Sequence, residues 1–127
     1  MQDGVVKAMF KDYLGQAVII EHENAGSTTA RFISVYAHTA PRSDVKVGRF
    51  VKEGDIIATL GDTSNSKSNI LPHLHFSLGL PANPFSYDGF VWNTMRNPAM
   101  ILLLDPLAVI DRPHQALDAG NRTCREL

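Results

Sequence analysis

The sequence predicts a mainly β fold, a small antiparallel β-sandwich or barrel-like core that ends in a short C-terminal helix or tail. Three observations predict it. Short β-branched and apolar runs recur along the first two thirds of the chain, single glycines separate many of them, and helix signals are confined to the C-terminal end. A chain of 127 residues suits one domain. We expect this domain to cover residues 1–110 and a polar tail to follow at 111–127.

Composition and charge exclude several classes of protein. Hydrophobic residues make up 44% of the chain and charged residues 20%, which is typical of a globular domain. The formal net charge of -1 argues against a nucleic-acid binder, which normally needs a basic patch. The single cysteine, Cys124, excludes an internal disulfide framework. No signal peptide is visible, and the longest strongly apolar run, 100–104, is far shorter than the ~20 residues of a membrane span.

The first half of the chain predicts strands joined by tight turns. Residues 18–20 and 31–38 are β-branched runs, and the turn-forming residues 23–27 between them favour a hairpin. Residues 45–61 contain short apolar pieces separated by single glycines, which indicates further short strands with tight connections.

The second half begins with a strictly alternating segment, 72–78, which is typical of a half-buried strand. Its alternation predicts that Leu74 points into the core while His73 and His75 share the opposite face. Residues 79–98 are irregular and rich in proline and aromatic residues. Residues 100–104 suit a last strand, and Asp105-Pro106 suits the start of a short helix with proline at its first position.

The paired histidines allow two interpretations. Imidazole is a common zinc ligand, so an H-x-H pair on a strand can bring two rings to one ion, or place one ligand beside a proton-transfer group. Two half-exposed strand histidines would give the same pattern. His38 ends the 31–38 run, where the period of two predicts that it shares a face with Tyr36. By itself His38 is an ordinary boundary histidine, and an all-histidine zinc site with His73 and His75 is an alternative.

In combination, these segments resemble the lysostaphin-type zinc metallopeptidases, the M23 or LytM-like family. Residues 36–38 match that family's Y-A-H block, residues 51–61 its V-x-x-G-x-x-I-x-x-x-G spacing, and residues 72–76 its P-H-L-H-F block. Residues 3–6 resemble the strand-opening d-G-x-V block, and residues 104–106 the aspartate-proline that closes the domain. The resemblance covers roughly residues 3–107.

The resemblance implies a role for each histidine. His75 should bind zinc, while His38 and His73 should be non-ligand catalytic histidines that handle protons and steady the tetrahedral intermediate. Zinc can lower the pKa of its bound water from about 15.7 towards ~7, and a histidine with a pKa near ~6.5 can exchange protons around neutrality. The family cleaves peptide bonds, usually of bacterial peptidoglycan. A place in the cell envelope or outside the cell is therefore expected.

Two departures from the family pattern stand out. The family takes its other zinc ligands from an H-x-x-x-D motif upstream of the d-G-x-V block, so the resemblance implies that two of three expected ligands are absent here. His114 and Asp118 form an H-x-x-x-D string in the tail, which we interpret as an ordinary polar tail. The second departure is the 79–98 segment, which looks like an insertion and whose aromatic residues could line a substrate groove or pack a small core of their own. The candidates for the groove are Tyr36, Phe85, Tyr87 and Trp92.

Two functions are therefore expected as alternatives. One is a zinc-dependent endopeptidase domain, incomplete in this chain, that acts on peptide bonds of peptidoglycan. The other is a catalytically inactive LytM-like module that binds the cell wall or activates another hydrolase. A lipoyl or biotinyl carrier shares the glycine-punctuated hairpins, but it needs a lysine in a Met-Lys or Asp-Lys turn, and Lys67 lacks that context.

Overall fold

The computed structural model describes residues 2–23, 31–63, 70–110, 116–117 and 123–124. The elements in chain order are β1 (Gly4–Asp12), β2 (Gly15–Glu23), β3 (Arg31–Ala40), β4 (Phe50–Val51), β5 (Thr59–Leu60), β6 (His75–Pro81), α1 (Trp92–Arg96), β7 (Ile101–Leu104), α2 (Pro106–Ile110), β8 (Ala116–Leu117) and β9 (Thr123–Cys124). The mainly β prediction is confirmed, as is a short helix near the C-terminal end. Both described helices have five residues, so neither could span a membrane.

One antiparallel sheet of seven strands forms the body of the described chain. The strands lie in the order β4-β1-β2-β3-β6-β7, and β5 also pairs with β3, at residues Thr39 and Ala40. The predicted pairing of residues 18–20 with 31–38 is confirmed as β2 and β3, which are both longer than expected because β1 and β6 supply pairing partners on either side. The predicted turn at 23–27 lies outside the described residues from position 24 onward. Strands β8 and β9 form a separate two-stranded ladder.

Two buried clusters lie on opposite faces of this sheet. Consecutive residues of β2 alternate between them, as Ile19 and Ile20 do, since side chains of a strand point to alternate faces. The first core contains Ala8, Ala17, Ile19, Ile33, Val35, Ala37, Phe90, Met95 and Ile101. The second core contains Val6, Val18, Ile20, Val45 and Val51. The segment after β6 covers the first face, and the segment between β3 and β5 covers the second.

The predicted strand at 72–78 begins later than its alternation suggests. Pairing of β6 with β3 starts at His75, which lies opposite Ala37. Beyond that point the same edge of β3 is occupied by β5, where Thr39 pairs with Leu60. Residues 72–74 therefore have no ladder to join, and Leu74 is 48% exposed instead of buried in the core.

Candidate active site

Three histidine rings meet where β3 ends and β6 begins. The ring centroid of His38 lies 5.0 Å from that of His73 and 5.4 Å from that of His75. We call these three residues the histidine cluster. His38 is 5% exposed, whereas His73 and His75 are both exposed. The cluster therefore combines one buried imidazole with two that solvent or a substrate can reach.

The cluster forms because His38 leaves the regular strand geometry. Its φ is +64°, a left-handed value that is uncommon for a residue with a side chain. The expected common face of Tyr36 and His38 is therefore wrong. Tyr36 packs against the second core and contacts the ring of Phe76 at 5.2 Å, whereas the His38 ring turns to His73 and His75.

Neighbouring backbone encloses this left-handed residue. The Gly61 amide donates to the His38 carbonyl at 2.9 Å. A Cβ at Gly61 would lie 2.6 Å from the Leu14 carbonyl oxygen and 3.0 Å from that of His38, and one at Gly15 would lie 2.5 Å from the Thr39 carbonyl oxygen. Such approaches are too close for a side chain, so glycine is required at both positions. Two glycines thus allow three chain segments to meet around His38.

Asp12 supplies the polar contact that holds His38 in place. Its Oδ2 accepts the His38 amide at 2.9 Å, and its Oδ1 lies 3.1 Å from His38 Nδ1 and accepts the Leu14 amide at 2.8 Å. The Asp12 side chain has no exposed surface. Burial alone would raise the pKa of this carboxyl, but the hydrogen bonds from His38 and Leu14 outweigh it and lower the pKa below its ordinary value.

Sequence reasoning missed Asp12 as a site residue. The sequence does indicate that Asp12 is a turn residue, because the segment 12–15 lies between two apolar runs. Aspartate favours turns in which its side chain accepts a hydrogen bond from a nearby backbone amide, as it does here from Leu14. Nothing in that local pattern connects Asp12 to His38, which lies 26 residues further along. Tyr13 was missed as well; its 77% exposed ring lies 5.6 Å from that of His38.

The other two histidines of the cluster have different surroundings. His73 Nδ1 lies 2.8 Å from the carbonyl oxygen of Leu71, to which it can only donate. His75 stacks on Trp92 with ring centroids 5.4 Å apart, and Trp92 in turn meets Phe10 edge to face at 5.3 Å. Burial first, and then the neighbouring His38 and His73, lower the pKa of His75 below its ordinary value.

The aromatic candidates fall in different places. Trp92 contacts the histidine cluster through His75. Phe85 and Tyr87 contact each other and Phe90, a member of the first core, and both pack on that core. Tyr87 also donates a 2.5 Å hydrogen bond to Glu21. Burial raises the pKa of Tyr36 in the second core. The structure therefore brings Trp92, but neither Phe85 nor Tyr87, into ring contact with the described histidine cluster.

The described residues supply only part of a metal-binding site. No group of three or more histidine, cysteine, aspartate or glutamate side chains in the described part of the chain could hold a metal ion. His75 is accessible as a single ligand, while Nδ1 of His38 and Nδ1 of His73 already have oxygen partners. The tail string from His114 to Asp118 and Lys67 lie outside the described residues.

Comparisons with known proteins match the part of the chain that contains the histidine cluster. The model of Peptidase family M23 matches residues 1–85, which include the whole histidine cluster. The chain is 37% identical over 86 residues to "Peptidoglycan DD-endopeptidase ShyC" of Vibrio cholerae, an alignment that covers 65% of this chain and 18% of the relative. This chain thus spans about a fifth of that relative's length. No solved structure gives a significant match. The match to the family model covers more than half of the sequence, and this chain belongs to Peptidase family M23.

Proposed function

We propose that this chain is a zinc-dependent endopeptidase domain, extending over residues 1–110, that cleaves peptide bonds of bacterial peptidoglycan in the cell envelope or outside the cell. The observation that carries the proposal is the meeting of three imidazoles, with the ring centroids of His73 and His75 both within 5.4 Å of that of His38, in a chain of the M23 family. The substrate class rests on the similarity to a peptidoglycan DD-endopeptidase.

In this proposal the three histidines have separate tasks. His38 and His73 exchange protons with the attacking water and the leaving amine, because each already donates through Nδ1 and so keeps Nε2 for a second partner. His75 is the zinc ligand, and the remaining ligands come from outside the described residues. We propose that Trp92 and Tyr13, which flank the cluster, line the substrate groove.

The alternative is a non-catalytic module that binds the cell wall or activates another hydrolase. One observation favours it: the described residues do not by themselves complete a metal site. A binding surface, however, gains nothing from a buried imidazole held by a buried carboxylate, which is an arrangement suited to proton transfer.

The test uses the full chain with added zinc and purified muropeptide dimers that carry a D,D cross-link. We expect cleavage to monomers, measured by liquid chromatography and mass spectrometry. Replacing His38 or His73 by alanine should slow cleavage by at least about 10²-fold, because each removes a proton-transfer group. Lys46→Ala changes an exposed residue between β3 and β4 and serves as the matched control.

The zinc content of the variants distinguishes the proposed zinc ligand from the proposed proton-transfer residues. His75→Ala should lower the zinc bound by the folded chain, and His73→Ala should not, since only His75 is proposed as a ligand. A folded, zinc-loaded chain that leaves the dimers intact but sediments with peptidoglycan would contradict the peptidase proposal. Retention of that affinity by His73→Ala would then identify a binding module.

A further inference from the structure

We propose that Asp12 is a positioning residue that orients His38 and fixes the ring tautomer in which Nδ1 carries the proton and Nε2 accepts one. This inference rests on the proposed function for its catalytic meaning, but its structural part is tested independently of any activity. Asp12 is the last residue of β1, next to the turn that leads to β2, and lies outside the family motifs recognised in the sequence.

An ionised carboxylate accepts hydrogen bonds and donates none. Oδ1 of Asp12 lies 3.1 Å from Nδ1 of His38, so Nδ1 must carry the hydrogen in that contact. A neutral imidazole has one N–H, which leaves Nε2 as the acceptor. The tautomer therefore follows from the chemistry of the partner.

The two hydrogen bonds from His38 to Asp12 fix the position of His38 as well as its tautomer. Oδ2 of Asp12 accepts the backbone amide of His38 at 2.9 Å while Oδ1 meets the ring. One carboxylate thus holds both the backbone and the side chain of His38, which has the uncommon φ of +64°. If either the backbone or the ring of His38 shifted, it would lose its hydrogen bond to Asp12. Water could not replace that bond, because the Asp12 side chain has no exposed surface.

A purely structural role for Asp12 would be to cap its own turn. The 2.8 Å bond from the Leu14 amide is such a cap. That role explains one bond, but it does not explain two bonds to a residue 26 positions away. Asp55 provides the comparison, because its exposed carboxylate accepts the Lys52 amide at 2.9 Å and caps a turn in the same way.

The test is Asp12→Asn, an isosteric change, with Asp55→Asn as the matched control. The two His38 groups contact different oxygens of Asp12, and an asparagine side chain has a donor amide group in place of one of them, so in the same orientation it cannot accept from both His38 groups. The tautomer of the neutral His38 ring is read by long-range nitrogen–proton NMR at alkaline pH. We expect the Nδ1–H tautomer in the parent chain and in Asp55→Asn, and a shift towards Nε2–H in Asp12→Asn.

The kinetic arm uses cleavage of the cross-linked muropeptide dimers. In Asp12→Asn we expect kcat to fall by about 10²-fold with a much smaller change in KM, because the proton-transfer group is misdirected while the groove remains. Asp55→Asn should retain the parent kcat. Circular dichroism establishes that each variant is folded.

Several results would overturn the positioning role. An Nε2–H tautomer for His38 in the parent chain would overturn it, even if Asp12→Asn does not fold. An unchanged tautomer in Asp12→Asn would do the same, as would a changed tautomer with an unchanged kcat in an active chain. Absence of peptidase activity in the parent chain refutes the proposed function and its kinetic arm, whereas the tautomer measurement still decides whether Asp12 orients His38.

Discussion

His38 adopts a backbone conformation that costs about 1–3 kcal/mol for a residue with a side chain. Such strain persists only where the surroundings enforce it, and here they do. The Asp12 carboxylate accepts the amide of His38, and the Gly61 amide donates to its carbonyl. The result at the scale of a single residue is an imidazole turned out of the sheet's regular alternation and towards two other imidazoles.

His22 is a second buried histidine, and it has a structural role. It is 2% exposed and stacks on Phe32 with ring centroids 4.8 Å apart. Its Nδ1 donates to the Asp3 carbonyl at 2.9 Å, so in the neutral ring Nε2 accepts from the Ser34 hydroxyl at 2.7 Å. Burial is the largest cause that lowers the pKa of His22 below its ordinary value of 6.5. The folded chain therefore keeps this ring neutral.

A pH dependence of stability follows from His22. Below pH 6.5 the unfolded chain takes up a proton that the folded His22 resists, so the free energy of unfolding should fall as the pH decreases. The slope from one such group is at most about 1.4 kcal/mol per pH unit. Urea unfolding at a series of pH values should show a shallower slope for His22→Gln, which can form hydrogen bonds without titrating. Equal slopes for the two proteins would contradict this assignment.

At the scale of elements, a hydrogen bond between Tyr87 and Glu21 helps to anchor the segment between β6 and β7 to the sheet. Tyr87 donates a 2.5 Å hydrogen bond to Glu21 of β2, and burial together with this carboxylate raises the pKa of Tyr87. Glu21 also pairs with Arg31 at 3.1 Å across the β2–β3 hairpin. The anchor lies in the segment that contains α1, and α1 begins with the Trp92 that stacks on His75.

Removing the anchor should destabilise the chain measurably. Tyr87→Phe deletes the hydroxyl and leaves a partly buried carboxylate without one of its donors, so we expect the free energy of unfolding to fall by about 1–3 kcal/mol. Tyr13→Phe is the control, because the Tyr13 ring is 77% exposed and the same deletion there should cost about 0.5 kcal/mol or less. Urea denaturation measures both. Equal losses in the two variants would mean that the Glu21 bond contributes nothing.

At the scale of the whole molecule, one sheet separates two cores and makes each depend on the other. Ile19 and Ile20 are neighbours in β2, yet the first is 0% exposed in the first core and the second is 2% exposed in the second core. Because both cores share the same strands, neither can unfold while the other keeps its sheet. The described sheet should therefore unfold as one cooperative unit.

Alanine substitutions on the two faces test this cooperativity. Ile19→Ala and Ile20→Ala should each lower the free energy of unfolding by about 2–5 kcal/mol, the range for deleting a buried isoleucine side chain. Ile56→Ala, at a site that is 66% exposed, should change it by no more than about 0.5 kcal/mol. Fluorescence and circular dichroism should report one coincident transition for all three variants. Two separate transitions in either buried variant would show that the cores are independent.

The sequence by itself determined the class of fold, the family and the three histidines. A period of two places successive side chains on opposite faces, and motif spacing is a property of the chain alone, so both can be read without coordinates. The β2–β3 hairpin, the strand at Ile101–Leu104 and the proline that opens α2 were all accessible in this way.

Only the tertiary structure decided how these parts meet. The pairing of Asp12 with His38, the stacking of Trp92 on His75 and the later start of β6 all depend on register between distant strands. A local pattern cannot specify such register, because it encodes which face a side chain takes and not which strand lies beside it. The left-handed turn at His38 is the sharpest case, since the alternation of β3 predicts the opposite direction for its ring.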